Sequence, residues 1–205
     1  MVAQNSNPAD GGGDSSAHEA RVRLVAGMLE CLEKKSFANV TINDVVAAAR
    51  VSKRTFYEHF DSKEDCFLAA YVAASTELMN AIDMAATDTS YTWERCIEET
   101  CGAYLMMLEQ NPALSRAFLL EIHLAGEKAI KARREIHGRF AELLKNLVAR
   151  ARKDNPHMKP LSPKLAIALV GGINELVLVA LESEGERLGA LQGAAAELAR
   201  AVILR

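Results

Sequence analysis

The sequence predicts an all-α protein of about nine helices, with a small N-terminal head and a larger helical body. Three observations predict it. The 28 residues from Thr41 to Leu68 hold three separate helix starts. Apolar residues recur at three- and four-residue steps on both sides of that stretch, the period of an amphipathic helix. Near the C-terminus, Leu165–Ile173 and Leu176–Leu181 are apolar almost without interruption, as in a helix buried on all sides.

Residues 1 to about 16 hold Asn, Ser, Asp, Pro and Gly11-Gly12-Gly13 and almost nothing apolar, which predicts a disordered tail. The tail lacks the basic start and apolar run of a signal peptide. From about His18 to Lys35, Val22, Val25, Met28, Leu29 and Leu32 form one stripe of a first helix, and Phe37 and Val40 follow as core plugs.

Thr41 stands three residues before Asp44, so its hydroxyl can cap a helix whose apolar face is Ile42, Val45, Val46 and Ala49. Ser52 can cap the next helix in the same way, and Ala-Arg-Val between them is the short turn of a helix-turn-helix. Ser62, with Asp65 three residues on, starts a third helix. The middle helix, Lys53 to Phe60, is too short to stand alone, because isolated helices below about 12 residues are marginal in water. Phe56 and Phe60, four apart, supply the face that neighbours hold. Lys53, Arg54, Thr55, Tyr57 and His59 are left outside. Such a surface offers charge for phosphates, a guanidinium for guanine and hydroxyls for backbone oxygens. A basic helix by itself reads equally well as a solvated face; the turn, the caps and the flanking aromatics together favour nucleic acid.

The body follows. Lys63 to about Met84 is one long helix joining head to body, and residues 85–92 form a loop. Trp93 to Gln110 is helical, with Ile97, Cys101, Tyr104, Leu105 and Leu108 on one stripe, and Asn111-Pro112 ends it. A short helix through Phe118 and Ile122 precedes a longer one from about Gly126 to Lys153. Between Glu127 and Asp154 there are nine bases and four acids, a local +5 that reads first as a solvated face. Asp154 to Pro163, with three prolines, is a loop. Lys164 to Glu182 is not a membrane span, because Asn174-Glu175 interrupts an apolar run that would need about 20 residues. One side can face its own domain and the other a second subunit. The last helix, about Leu188 to Leu204, presents Leu191, Ala195, Leu198, Val202 and Ile203.

Half the residues are hydrophobic and a quarter charged, the balance of a soluble globular protein. A net charge of −3 excludes a polyelectrolyte that coats nucleic acid along its whole surface. Any binding must come from a local patch, and residues 50–60 carry Arg50, Lys53 and Arg54 against Glu58. Cys31, Cys66, Cys96 and Cys101 include no Cys-x-x-Cys pair and read as free, mostly buried thiols in a reducing cytoplasm. No His or Cys spacing suits a metal.

The run resembles the DNA-binding domain of TetR-family transcriptional regulators, through Thr41, Ser52, Tyr57, His59, Phe60 and Lys63. Two positions depart from the family pattern, in which Gly is common where Arg50 and Arg54 stand. Arg50 fits the turn where its φ is not positive, and Arg54 adds a base reader. The resemblance implies domains at 17–63 for DNA binding and 64–205 for effector binding and dimerisation. The helix from Ser52 would enter the major groove of double-stranded operator DNA. Thr41, Tyr57, His59 and Lys63 would hold its backbone, and Lys53, Arg54 and Thr55 lie on the reading helix itself.

It further implies a cytoplasmic homodimer, without cofactor or membrane, joined by the last two helices. Leu169, Gly172, Ile173, Leu176, Leu191, Leu198 and Val202 are the candidate interface. An effector cavity would be enclosed by the middle helices, with Trp93, Cys96, Tyr104, Met107, Phe118, His123, Phe140, Asn174 and Glu175 as candidates. The polar members hint at a largely apolar effector with one polar contact. Three functions stay open: a ligand-responsive repressor on a palindromic operator, a dimeric DNA-binding protein without an effector, and an all-helical enzyme using His123 and Glu175.

Overall fold

The computed structural model describes residues 12–87, 92–183 and 187–203. Its described residues form nine α-helices: α1 (Gly12–Lys34), α2 (Ile42–Ala49), α3 (Lys53–His59), α4 (Lys63–Ala85), α5 (Trp93–Gln110), α6 (Pro112–Leu119), α7 (Glu127–Ala151), α8 (Pro163–Glu182) and α9 (Gln192–Ile203). Single 3-10 turns lie at Phe37–Asn39, Ile122–Ala125 and Leu188–Leu191. The chain divides into two compact units, one up to Ala70 and one from Tyr71.

In the first unit, α1 supplies Leu24, Met28 and Leu32 to a core completed by Phe37, Val40, Val45, Phe56 and Phe67, all fully or almost fully buried. The Phe37 and Phe67 rings stack with centroids 4.0 Å apart, and the Cys66 thiol reaches the Leu24 carbonyl at 3.7 Å. The opening turns of α4 therefore belong to the head, and the boundary falls seven residues beyond the expected 63/64. α1 crosses α2 at Gly27, where a Cβ would sit 2.9 Å from both the Ala49 nitrogen and the Val45 oxygen. Only a residue without a side chain permits that approach.

The second unit holds two apolar clusters. One joins α7, α8 and α9 through Ala141, Val148, Leu161, Ala166, Leu169, Val170 and Ile203. The other joins α5, α8 and α9 through Cys101, Leu105, Val177, Leu188, Ala195 and Ala196. Among the described residues, α8 alone is long and apolar enough to cross a membrane, with a mean hydropathy of 1.9. It lies instead packed against α7 and α9.

Several element limits differ from the sequence reading. α1 begins at Gly12, inside the stretch expected to be tail, because nothing after it in Asp14–Ala17 stops the helix from running back from its apolar stripe; residues 1–11 lie outside the described residues. Pro163 is not loop but the first residue of α8, capped by Ser162, where its missing N–H costs no hydrogen bond. The short helix expected through Ile122 ends at Leu119 and resumes as a 3-10 turn. The last helix is likewise split, with a 3-10 turn before α9. Of the expected 85–92 loop, residues 88–91 lie outside the described residues, as does Leu204.

Candidate functional site

The head is built around its caps. Thr41 Oγ1 accepts the Asp44 N–H at 3.3 Å, while Asp44 Oδ2 accepts the Thr41 N–H at 2.8 Å and its hydroxyl at 2.6 Å. Lys35 adds an ion pair to the same carboxylate at 2.6 Å. The Lys35 ammonium and the Thr41 donors hold Asp44 well below the usual carboxylate range. Helix α2 ends at Arg50, whose φ of 53° and ψ of 47° are left-handed, and its N–H closes on the Val46 and Ala47 carbonyls. The condition set for Arg50, a φ that is not positive, is not met: Arg50 adopts the left-handed conformation at a steric cost for an L side chain.

Ser52 Oγ then accepts the Thr55 N–H at 3.0 Å and lies 2.9 Å from the Thr55 hydroxyl, starting α3. Phe56 is 0% exposed and Phe60 buried, their rings 5.8 Å apart. The Arg21 guanidinium lies 4.4 Å over the Phe60 ring and donates to the His59 carbonyl at 3.3 Å. One face of α3 is thus fixed, and the other turns Lys53, Arg54 and Tyr57 to solvent, Tyr57 at 56% exposure. His59 and Thr55 are half-buried. Arg54 pairs with Glu58 at 3.1 Å across an exposed helical step, worth only about 0.3–0.5 kcal/mol and easily exchanged for another anion.

Lys63 stands apart from this group. Its ammonium lies 4.4 Å over the Phe37 ring and donates to the Phe37 carbonyl at 3.0 Å. The hydroxyls of Thr41 and Ser52 are likewise engaged in their own caps. These three make contacts within the head, while Lys53, Arg54 and Tyr57 are exposed on α3.

The second unit contains a cavity of about 420 Å³ and a smaller one of about 110 Å³. Of the nine sequence candidates, Trp93 and Cys96 line the larger, Met107 and Phe118 the smaller, and Tyr104, Phe140 and Asn174 both. The remaining two, His123 exposed on a 3-10 turn and Glu175 exposed on α8, line neither of these two cavities. Glu175 follows Asn174 directly, so the 100° step of a helix sends it away from the core that Asn174 enters.

Asn174 is buried among apolar side chains but fully partnered. Tyr104 donates to its Oδ1 at 2.5 Å, and its Nδ2 lies 3.1 Å from His137 Nε2. Burial, and secondarily Arg133, lower the His137 pKa from its ordinary value, favouring the neutral ring; burial pushes the Tyr104 hydroxyl well above the usual phenol range. Tyr71 is raised to about 12 for the same reason. His137 and Arg133 escaped the sequence reading, which took this basic stretch as a solvated face. The spacing Arg133, His137, Phe140, Leu144 held the signal, being one stripe of α7.

The thiols of Cys31, Cys66 and Cys101 are buried and free, Cys66 raised to about 12 and Cys101 to about 11 by burial. Such thiols are poor nucleophiles. Cys96, half-buried, faces the larger cavity.

The residues proposed as a dimer interface face mostly inward. Leu169 is 2% exposed in a core cluster, Leu198 and Val202 pack on that same cluster, and Leu191 packs on the other. Ile173 lines the larger cavity, and a Cβ at Gly172 would meet Leu198 of its own chain at 3.0 Å. Leu176 is half-buried. The solvent stripe of α8 is instead Ile167, Ala168, Glu175 and Val179, with Ile167 51% and Val179 53% exposed. In a helix apolar all round, composition does not say which side faces out.

A capped tri-helical head with a short solvent-facing third helix, ahead of a helical body enclosing an apolar cavity, defines a helix-turn-helix regulator fold. Residues 24–70 match the sequence model of bacterial regulatory proteins of the tetR family, so the resemblance to that family lies in the head. The chain is similar to the transcriptional regulator AcuR of Cereibacter sphaeroides, 38% identical over 76 residues, or 37% of this chain; that match spans only 33% of AcuR's length. The fold is shared with a TetR-family transcriptional regulator from Pectobacterium atrosepticum, at a TM-score of 0.72 and 18% identity over 93% of this chain and 97% of that one. It is shared too with the transcriptional regulator FadR of Bacillus subtilis, solved in complex with stearoyl-CoA, at a TM-score of 0.69 and 14% identity over 86% and 96% of the two chains.

Proposed function

We propose that this chain is a homodimeric TetR-like transcriptional repressor that binds a palindromic operator through α3 and is released by a small, largely apolar effector held in the second unit. One observation carries the reading: α3 is anchored by Phe56 and Phe60 while Lys53, Arg54 and Tyr57 stand together in solvent. A recognition helix needs that division, a fixed back and a polar front, to read base edges in a major groove.

The effector reading rests on the cavity. At about 420 Å³ it falls within the roughly 300–1,000 Å³ of small-molecule sites, and it is lined chiefly by Leu, Ile, Val, Trp and Phe side chains. The stearoyl-CoA complex of FadR shows that a protein sharing this fold takes an acyl ligand. Helix α4 supports coupling, because Phe67 sits in the head core and Ile82 in the cavity wall of one continuous helix. A coupling of about 1–3 kcal/mol gives a 5- to 150-fold switch.

The dimer reading rests on the solvent stripe of α8, whose Ile167 and Val179 are exposed beside Gly171, where a Cβ would meet nothing. A second copy of the chain would cover that stripe. His123 and Glu175, the acid–base pair of the enzyme reading, line neither of the two cavities.

Electrophoretic shift of promoter DNA from upstream of the gene and its divergent neighbour tests the proposal. A shift by the intact chain that Lys53→Ala weakens at least about tenfold supports it. Equal binding by the variant, or no shift at low salt, would sink it.

A further inference from the structure

The two cavities share a wall. Tyr104, Phe140 and Asn174 line both, and the Tyr104 and Phe140 rings meet edge to face with centroids 6.4 Å apart. We propose that the cavities are the two ends of one site for an elongated monocarboxylate. Its carboxylate lies at Arg133 beside His137, and its hydrocarbon chain passes the Tyr104–Phe140–Asn174 wall into the larger chamber. This assignment rests on the effector-binding reading above and names the chemical class.

Charge argues for the carboxylate. Arg133 lines the smaller cavity and, among the described residues, makes no ion pair or hydrogen bond. The cation lining the larger cavity, Arg150, is already held by Asp83 at 2.7 Å. A single available guanidinium matches a single carboxylate, bidentately. A second acid group on the ligand would enter a chamber of Leu, Ile and Val, where an unpaired charge is strongly disfavoured.

Size argues for the chain. The smaller cavity, about 110 Å³, falls short of the roughly 150 Å³ that accommodates a benzene ring. A ligand held at Arg133 therefore has most of its volume elsewhere, and the adjoining 420 Å³ is the apolar space available.

Direction argues for the route. Arg133, His137, Phe140, Leu144, Leu147 and Ala151 follow one another along one face of α7, from the cation, past the wall, to the apolar chamber. Phe140 lies about 10 Å along the helix axis from Arg133. Its ring contacts Tyr104 edge to face, and in this assignment its rotation opens the wall.

Calorimetric titration of the full chain with hexanoate, dodecanoate and 1-dodecanol tests the assignment. Dodecanoate is expected to bind at least about tenfold more tightly than 1-dodecanol, the difference of one charge-assisted contact, and more tightly than hexanoate. Arg133→Gln, a change at an exposed residue, should abolish the acid–alcohol difference. Phe140→Trp should remove the advantage of dodecanoate over hexanoate, and Phe140→Leu should keep or increase it. Equal binding of acid and alcohol, an unaltered difference in Arg133→Gln, or no binding of either acid overturns the assignment. If the acids fail to bind while another small molecule releases operator DNA, the assignment falls and the regulator reading stands. If the acids bind as stated but the chain shifts no DNA, the reverse holds.

Discussion

The Tyr104 hydroxyl donates to Asn174 Oδ1 over 2.5 Å, tying α5 to α8 between two cavities. Tyr104→Phe keeps the ring and leaves a buried carbonyl oxygen without its donor. The expected loss is about 1–3 kcal/mol of unfolding free energy by urea denaturation. Adding Asn174→Leu should recover part of it, since removing both partners costs less than orphaning one.

His137 sets a pH dependence with a definite sign. Its folded pKa is lowered from 6.5 by burial first and Arg133 second, so the unfolded chain takes the proton more readily. Stability should then fall as pH drops below about 6.5 and level off below the folded pKa. His137→Gln should flatten this segment of the melting temperature against pH profile; an unchanged slope would assign it to other groups.

At the turn of the head, Arg50→Gly relieves a left-handed L residue but adds freedom to the unfolded chain. The steric cost, roughly 1–2 kcal/mol, exceeds the glycine entropy of roughly 0.5–1 kcal/mol. A net gain of about 0.5–1 kcal/mol is expected in thermal unfolding of the head. Gly27→Ala acts oppositely, driving a methyl to 2.9 Å from two backbone atoms of α2, and should cost about 1–3 kcal/mol or more.

Lys53 and Lys63 should separate by assay. Lys53→Ala is expected to lower operator affinity and the salt slope by about one unit per half-site without changing stability. Lys63→Ala removes a donor to Phe37 O and a cation from over its ring, and should lower the stability of the head by about 1–2 kcal/mol. The opposite pattern would exchange their roles.

For assembly, Ile167→Glu and Val179→Glu alter residues already half in solvent within one chain. Light scattering is expected to give folded monomers. Leu169→Glu, placed in a core cluster, should instead unfold the second unit. A dimer surviving both solvent-side changes would move the interface away from α8.

The helices and the head were legible because their signals are local. Thr41 with Asp44 and Ser52 with Thr55 each decide a cap within four residues, and Phe56 with Phe60 decides a face. Tyr104, Phe140 and Asn174 were legible as polar or aromatic residues in apolar runs. What escaped is non-local. His137 gains its meaning from Asn174, 37 residues away, and the orientation of α8 depends on which neighbours claim each side of an evenly apolar helix. Arg50 is a different case: the family pattern marks the position with glycine, and the arginine takes the left-handed conformation all the same.

Glu175 lines neither cavity and is exposed on α8 within one chain. Its charge also bears on α8 taken alone, a segment with the hydropathy of a bilayer span. A charge near the middle of such a segment raises its insertion free energy by about 2.5–3.5 kcal/mol, and Asn174 beside it adds a second polar penalty. One carboxylate thus weighs against partition of the emerging helix into lipid before α9 has been made to cover it.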